Sequence, residues 1–146
     1  MIINKNITHF NYSIEKKWYI INAANQTLGR LSSKVAYILQ GKNNIEYAPH
    51  IQNDTHVIII NSKLIRVTGN KRTQKAYKKH SGKPGSLKIE TFDKLQARIP
   101  NRILEKAIKG MLPKNSIGRK MFTRIKIYAN SEHPHSAQKP LLINEI

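Results

Sequence analysis

Positions 63–126 carry nineteen Lys or Arg residues against three acids, Glu90, Asp93 and Glu105, which concentrates +16 of the chain's formal +18 in this stretch. Ammonium and guanidinium groups at that density are suited to one chemistry above others: they neutralise phosphate and release its condensed counterions. The first 62 residues contribute only +3 and the last twenty −1. A basic half joined to a nearly neutral half is the electrostatic signature of nucleic-acid binding. Solubility alone would require a net charge of only about 2 to 8. An anionic membrane surface or an acidic protein would also attract such a half, but no stretch is both strongly amphipathic and separate from a core.

The candidate phosphate-binding residues fall into groups. Residues 71–88 contain seven basic side chains, with Lys71, Arg72, Lys75, Lys78, Lys79 and Lys83 around Tyr77 and His80, and the turn former Ser81-Gly82-Lys83-Pro84-Gly85. Arg102, Lys106 and Lys109 recur at i, i+4 and i+7, one face of a helix. Gly110-Met111-Leu112-Pro113-Lys114-Asn115 and Gly118-Arg119-Lys120 present three cations from a short, stiff turn, and donors held rigidly lose less entropy on binding than donors on a mobile tail. Read structurally, the same turn is a helix stop with solvated lysines. Arg124, and Arg30 with Lys34 on an earlier helix, complete the set. Aromatics in this half are few: Tyr77, Phe92, Phe122 and Tyr128. Proteins that grip unpaired bases interleave aromatic and basic residues, so this pattern points to folded RNA read by shape, phosphates and 2′-hydroxyls. Tyr77 serves either as a base-stacking ring or as a packing contact to the body.

Other chemistries find little support. The absence of cysteine removes disulfides, Cys-ligated zinc, iron–sulfur clusters and thiol catalysis, and fits a reducing compartment. His133-Pro134-His135 offers at most half of a metal site, with Glu132 the one acid beside it. His50, His56 and His80 are scattered, with no oriented carboxylate and nucleophile. Residues 81–85 lack the spacing of a P-loop, and Thr27-Leu28-Gly29-Arg30 lacks the glycines of a dinucleotide fingerprint. No cofactor, metal or small-molecule substrate is expected, and no enzymatic activity. No membrane partner is expected either, since the longest apolar run, 57–60, is far below the ~20 residues that cross a bilayer. Residues 1–12 are Asn-rich, without a signal-peptide core or an Arg-rich presequence, so the protein is expected to be made where it works.

A chain of 146 residues is one domain by length and buries roughly 70% of its unfolded surface. Trp-Tyr-Ile-Ile-Asn at 18–22 predicts a buried strand. Leu28, Leu31, Val35, Ile38 and Leu39 form a helical stripe, with Thr27 as N-cap and Gly41 as stop. His-Val-Ile-Ile-Ile-Asn at 56–61 predicts a strand buried on both faces, which makes a parallel βαβ unit. Ile65 and Val67 alternate with Arg66 and Thr68 before Gly69-Asn70, predicting a third, more exposed strand. Residues 71–88 read as an extended basic loop or hairpin. A helix over 100–109 is opened by Pro100 and closed at Gly110, with Ile103, Leu104, Ala107 and Ile108 as its apolar stripe. A short helix at 116–122 and a last strand through Ile125 and Ile127 follow, and an irregular tail from Asn130. Trp18, Leu31 and Ile58 are the expected core anchors.

Ile-Lys-Gly-Met-Leu-Pro at 108–113, Gly118-Arg119 and Ile-Lys-Ile-Tyr-Ala-Asn at 125–130 resemble the signature of the large-subunit ribosomal protein L-thirteen family. So do stretches well outside it: 18–22, Thr-Leu-Gly-Arg-Leu at 27–31, Tyr-Ala-Pro-His at 47–50, Val-Thr-Gly-Asn-Lys at 67–71, Tyr77, His-Ser-Gly at 80–82 and Glu-His-Pro-His at 132–135. The resemblance, to bacterial and organellar members, covers roughly 18–140. It implies a three-layer α/β/α fold around a parallel four-stranded sheet, with 18–146 as a single domain, 71–88 as its RNA-binding extension and 1–17 as an N-terminal extension. It further implies a structural constituent of the large ribosomal subunit that binds large-subunit (23S-type) rRNA, neighbours other large-subunit proteins and supports early assembly. Abundant Ile (22), Lys (19) and Asn (14), against seven Arg, suit an A+T-rich genome. That favours a ribosome in the plastid (chloroplast) stroma, with the bacterial cytoplasm as alternative. Two rivals are a regulatory RNA- or DNA-binding factor outside the ribosome and a small nucleotide-dependent α/β enzyme acting on RNA.

Overall fold

The computed structural model describes residues 16–44, 47–50 and 52–143, so the expected N-terminal extension, 1–17, lies outside the described residues except for Lys16 and Lys17. In chain order the strands are β1 (Lys17–Asn22), β2 (Thr55–Ile60), β3 (Ala76–Lys79), β4 (Lys88–Thr91), β5 (Ile125–Ile127) and β6 (Leu141–Ile143). The helices are α1 (Leu28–Gln40), α2 (Lys71–Gln74), α3 (Phe92–Arg98), α4 (Asn101–Met111) and α5 (Ser116–Thr123).

Strands β1 and β2 pair in parallel from Lys17 opposite Thr55 to Asn22 opposite Ile60, with α1 as their crossover. β5 joins β2, and β6 joins β1, again in parallel, giving the order β5-β2-β1-β6. Successive side chains on a strand point to opposite faces, so Tyr19, Ile21, Val57, Ile59, Ile125, Ile127 and Ile143 share one face. There they meet Leu31, Val35 and Leu39 of α1 and Ile103, Leu104 and Ile108 of α4 in one apolar cluster. α1 and α4 also pack on each other. This parallel sheet with its helices agrees with the α/β class and the three-layer α/β/α arrangement that the resemblance implies. Gly41 ends α1 in the left-handed region (φ 76), its N–H returning to the Ile38 carbonyl, as such a stop requires. Thr27 has N-cap backbone geometry, but its hydroxyl makes no capping bond. Asn101 fixes the start of α4 by accepting from the Ser62 hydroxyl at 2.5 Å and donating to the Ile127 carbonyl at 3.0 Å.

Several expectations require correction. Trp18 is only partly buried and is absent from the apolar cluster; it lies on the opposite sheet face, stacked on His56 with centroids 4.3 Å apart and planes 11° apart. His135 approaches the same ring at 5.5 Å and meets the Tyr128 hydroxyl at 2.8 Å. Burial pushes the His56 imidazole below its usual value, over the opposing pull of Asp54. The strand expected at 65–68 is reduced to one parallel bridge between Arg66 and Thr27, because only the Gln26 carbonyl and the Leu28 N–H are offered to it. Gly110 does not close α4, which runs to Met111; Leu112 turns extended ahead of Pro113, as a residue before proline must. Pro100 occupies the N-cap position just before the first helical residue. The tail is not wholly irregular, since β6 forms the sheet's edge. Helices α2 and α3 were not foreseen: one has four residues, and the other only Phe92 and Leu95 as buried anchors.

Candidate nucleic-acid interface

The basic stretch 71–88 opens with α2 and continues into a hairpin whose second strand, β4, begins at Lys88 and runs to Thr91. β3 and β4 pair antiparallel, with Tyr77 opposite Glu90 and Lys79 opposite Lys88. Like charges directly opposite destabilise a strand pair, so this end of the hairpin gains from a bound anion. Its loop is tied by Ser86, whose hydroxyl donates to the Lys83 carbonyl at 2.6 Å and accepts from the Ser81 N–H at 3.3 Å. The Gly82 N–H donates to His80 Nδ1 at 2.9 Å, which leaves Nε2 of this exposed ring facing outward.

All three acids of the basic half are engaged by arginines. Asp93 holds Arg72 at 3.0 Å, Glu90 holds Arg98 through both oxygens at 2.7 and 2.8 Å, and Glu105 holds Arg102 at 3.0 Å. The pairs are solvent-exposed and individually contribute little stability, but two of them tie α2 and β4 to α3. The lysines are left over. Among the described residues, Lys78, Lys79, Lys83, Lys114, Arg119 and Lys120 are exposed and make no ion pair.

Lysine–aromatic contacts join the three cationic groups into one succession. Lys75 and Lys106 stand 5.8 and 4.9 Å from the centroid of Tyr77, linking the hairpin to α4. One turn on, Lys109 stands 5.8 Å from that of Phe122, linking α4 to α5. Tyr77 itself is half-buried against the apolar cluster, and burial pushes its phenol above the usual range. Its packing role is therefore the one realised here. Arg102, Lys106 and Lys109 are all exposed on α4, as are Lys71 and Lys75 at the base of the hairpin.

The turn between α4 and α5 is rigid. Asn115 caps α5, its side-chain oxygen accepting from the Gly118 N–H at 2.8 Å. A Cβ on Gly118 would lie 2.8 Å from the Pro113 carbonyl carbon and well inside contact with its oxygen. Only glycine permits that approach. Gly118→Ala is expected to lower stability by roughly 1–3 kcal/mol, as overpacking does, and urea denaturation will read this as an earlier midpoint. A midpoint equal to the parent's would mean that the turn opens freely.

The remaining candidates are dispersed. Arg124 is mostly enclosed, with 16% of its side chain exposed, and its Nη2 is 3.1 Å from Asp54; it orders the sheet edge and is not part of the lysine succession. Arg30 is exposed on α1, while Lys34 is half-buried and engaged within the protein. Lys88 is a further member, placed by its pairing with Lys79; the signal in the sequence was their symmetric position on either side of the 80–87 loop. Leu112 and Phe122 also matter. They floor a cavity at the α4–α5 turn; in the sequence Leu112 stands within the 110–115 turn motif and Phe122 among the few aromatics of the basic half. Among the described residues no group of three His, Asp or Glu could hold a metal ion, and no helix is long and apolar enough to cross a membrane.

Comparison with known proteins bears on this geometry. The pattern of the family described as “Ribosomal protein L13” matches residues 16–134. The “Large ribosomal subunit protein uL13” of Thermosynechococcus vestitus is 61% identical over 132 residues, 89% of this chain and 87% of that protein. Its namesake in Rippkaea orientalis is 54% identical over 146 residues, 99% of this chain and 97% of the relative. The Prochlorococcus marinus protein of the same name is 54% identical over 142 residues, covering 97% and 95%.

Proposed function

This chain belongs to the ribosomal protein L13 family, and on that premise we propose that it grips large-subunit rRNA through the lysine succession running from the β3–β4 hairpin along α4 to the α5 turn. It is a structural constituent of the large ribosomal subunit, with rRNA and other ribosomal proteins as its partners. One observation carries the proposed site: the three acids of the basic half are taken up by arginines, which leaves exposed lysines for phosphate. Lys71, Lys75, Lys78, Lys79, His80 and Lys83 form the hairpin end of the contact, Arg102, Lys106 and Lys109 the middle, and Lys114, Arg119 and Lys120 the other end. Arg72 and Arg30 lie alongside. The α/β body spanning 18–146 supplies the rigid mount, and 71–88 is the extension that enters the RNA.

The RNA is of the 23S type, and the role is architectural and non-enzymatic, drawing RNA helices together early in subunit assembly. Similarity to cyanobacterial proteins and the A+T-rich residue usage both suit the plastid stroma, with the bacterial cytoplasm as the alternative compartment.

The test is sedimentation through high-salt sucrose gradients together with titration of isolated large-subunit rRNA. The protein is expected to travel with large subunits, and its log affinity to fall with log salt at a slope steeper than about 3, each neutralised phosphate contributing roughly 0.7–0.9. A protein found mainly in the free fractions would favour a regulatory factor outside the ribosome. A shallow slope would mean that the basic half is merely solvated.

A further inference from the structure

We infer that the α4–α5 turn holds a receptor for a single unpaired nucleotide of RNA, its base seated on an apolar floor and its phosphates on a cationic rim; this rests on the rRNA-binding reading above. A cavity of about 270 Å³ opens at this turn. Leu112, Pro113 and Phe122 provide its apolar surface, while Lys109, Lys114 and Arg119 stand around it. No acid is among the residues that line it. The volume is below the ~300–1,000 Å³ of pockets for drug-sized ligands, which suits one planar base and excludes a folded helix.

The combination of surfaces selects the occupant. Cations alone would serve the phosphates of a duplex and need no concave apolar floor. An apolar floor alone would suit an aliphatic side chain and need no cations. A base flanked by phosphates satisfies both, because base–aromatic stacking is effective with any base and the rim neutralises the charges on either side of it. Phe122 packs partly against the core but still lines the cavity, and Lys109, 5.8 Å from its ring centroid and near the ~6 Å limit of a cation–π contact, has a flexible stem that can turn the ammonium outward to a phosphate. The walls are preformed by the Asn115 cap and the Gly118–Pro113 approach, so little ordering is required on binding. The sparse aromatics of the basic half argued for shape recognition along most of the surface. This pocket is where a base is read.

The experiment uses the full chain on large-subunit rRNA, comparing the parent with Phe122→Leu, which nearly conserves apolar volume, and Lys114→Gln. Phe122→Leu should melt somewhat earlier, since the ring also packs against the core, but under folded conditions it should bind about 5-fold or more weaker with the salt slope unchanged, because stacking releases no counterions. Lys114→Gln should instead lower the slope by roughly 0.7–0.9. Ultraviolet irradiation of the parent complex should crosslink the 115–124 peptide to one nucleotide, and Phe122→Leu should lose that crosslink. Unchanged RNA affinity in a folded Phe122→Leu, as an acidic protein segment in the pocket would produce, overturns the inference while leaving the rRNA reading intact. If the parent itself shows no salt-dependent RNA binding, that reading fails first.

Discussion

Changing Lys75, Lys78, Lys79 and Lys83 together to Gln is expected to make the salt slope of rRNA binding shallower by about 3, which over the decade from about 1 M to about 0.1 M salt is roughly a 10³-fold loss of affinity. All four side chains are exposed, and substitutions of that kind usually move stability by less than about 0.5 kcal/mol. The melting temperature should therefore hardly change. Two local terms oppose each other: losing Lys75 removes a weak contact to the Tyr77 ring, while losing Lys79 relieves its repulsion from Lys88 across the strand pair. Filter binding at several salt concentrations and reconstitution into subunits would measure the outcome. A stable variant that still assembles with normal affinity would show the hairpin lysines to be a solvated face. The RNA site would then lie on Arg102, Lys106 and Lys109 with Arg30.

Leu31→Ala is expected to cost roughly 2–5 kcal/mol, as buried large-to-small changes do. Leu31 is fully buried where α1 meets the sheet and α4, and the close-packed surroundings cannot collapse into the space it leaves. Trp18→Ala should cost less despite the larger side chain, because Trp18 sits half-exposed on the other face against His56. Urea denaturation would show this as a midpoint displaced further by Leu31→Ala than by Trp18→Ala, with similar slopes. If Trp18→Ala proved the more damaging, that outer face would be a second core. RNA affinity in either variant should follow the folded fraction alone.

The parts of the fold that were legible in advance share one property: their signal repeats within a few residues. The stripe from Leu28 to Leu39 spans three turns, and the apolar run at 57–60 belongs to a central strand buried on both faces, so α1, β2 and their parallel relation to β1 follow from pattern alone. Helix α4 was legible for the same reason, although its end was misplaced at Gly110. A glycine inside a helix costs only about 1 kcal/mol, whereas Pro113 forces the residue before it out of the helical region. Strand β6 has three residues and no period to read; it exists because β1 offers it an unpaired edge at Tyr19–Ile21. Trp18 was misjudged because an aromatic residue in a strand announces that it is partly buried, not which face it takes.

The candidate site divides along the same line. Charge is additive along a chain, so residue order alone was enough to locate the basic half and name the candidate cations within it. Which cations act together is a matter of distance between segments remote in sequence. Carboxylates engage Arg72, Arg98, Arg102 and Arg124, Tyr77 packs against the body, and the contacts of Lys106 and Lys109 draw hairpin, helix and turn together. The pocket over Phe122 was likewise invisible beforehand, because a concavity arises where two helices meet at an angle set by Gly118 against Pro113. Coulomb energy and packing fall off through space and not along the chain, so composition and order could specify the chemistry while the folded contacts alone selected the side chains that share it.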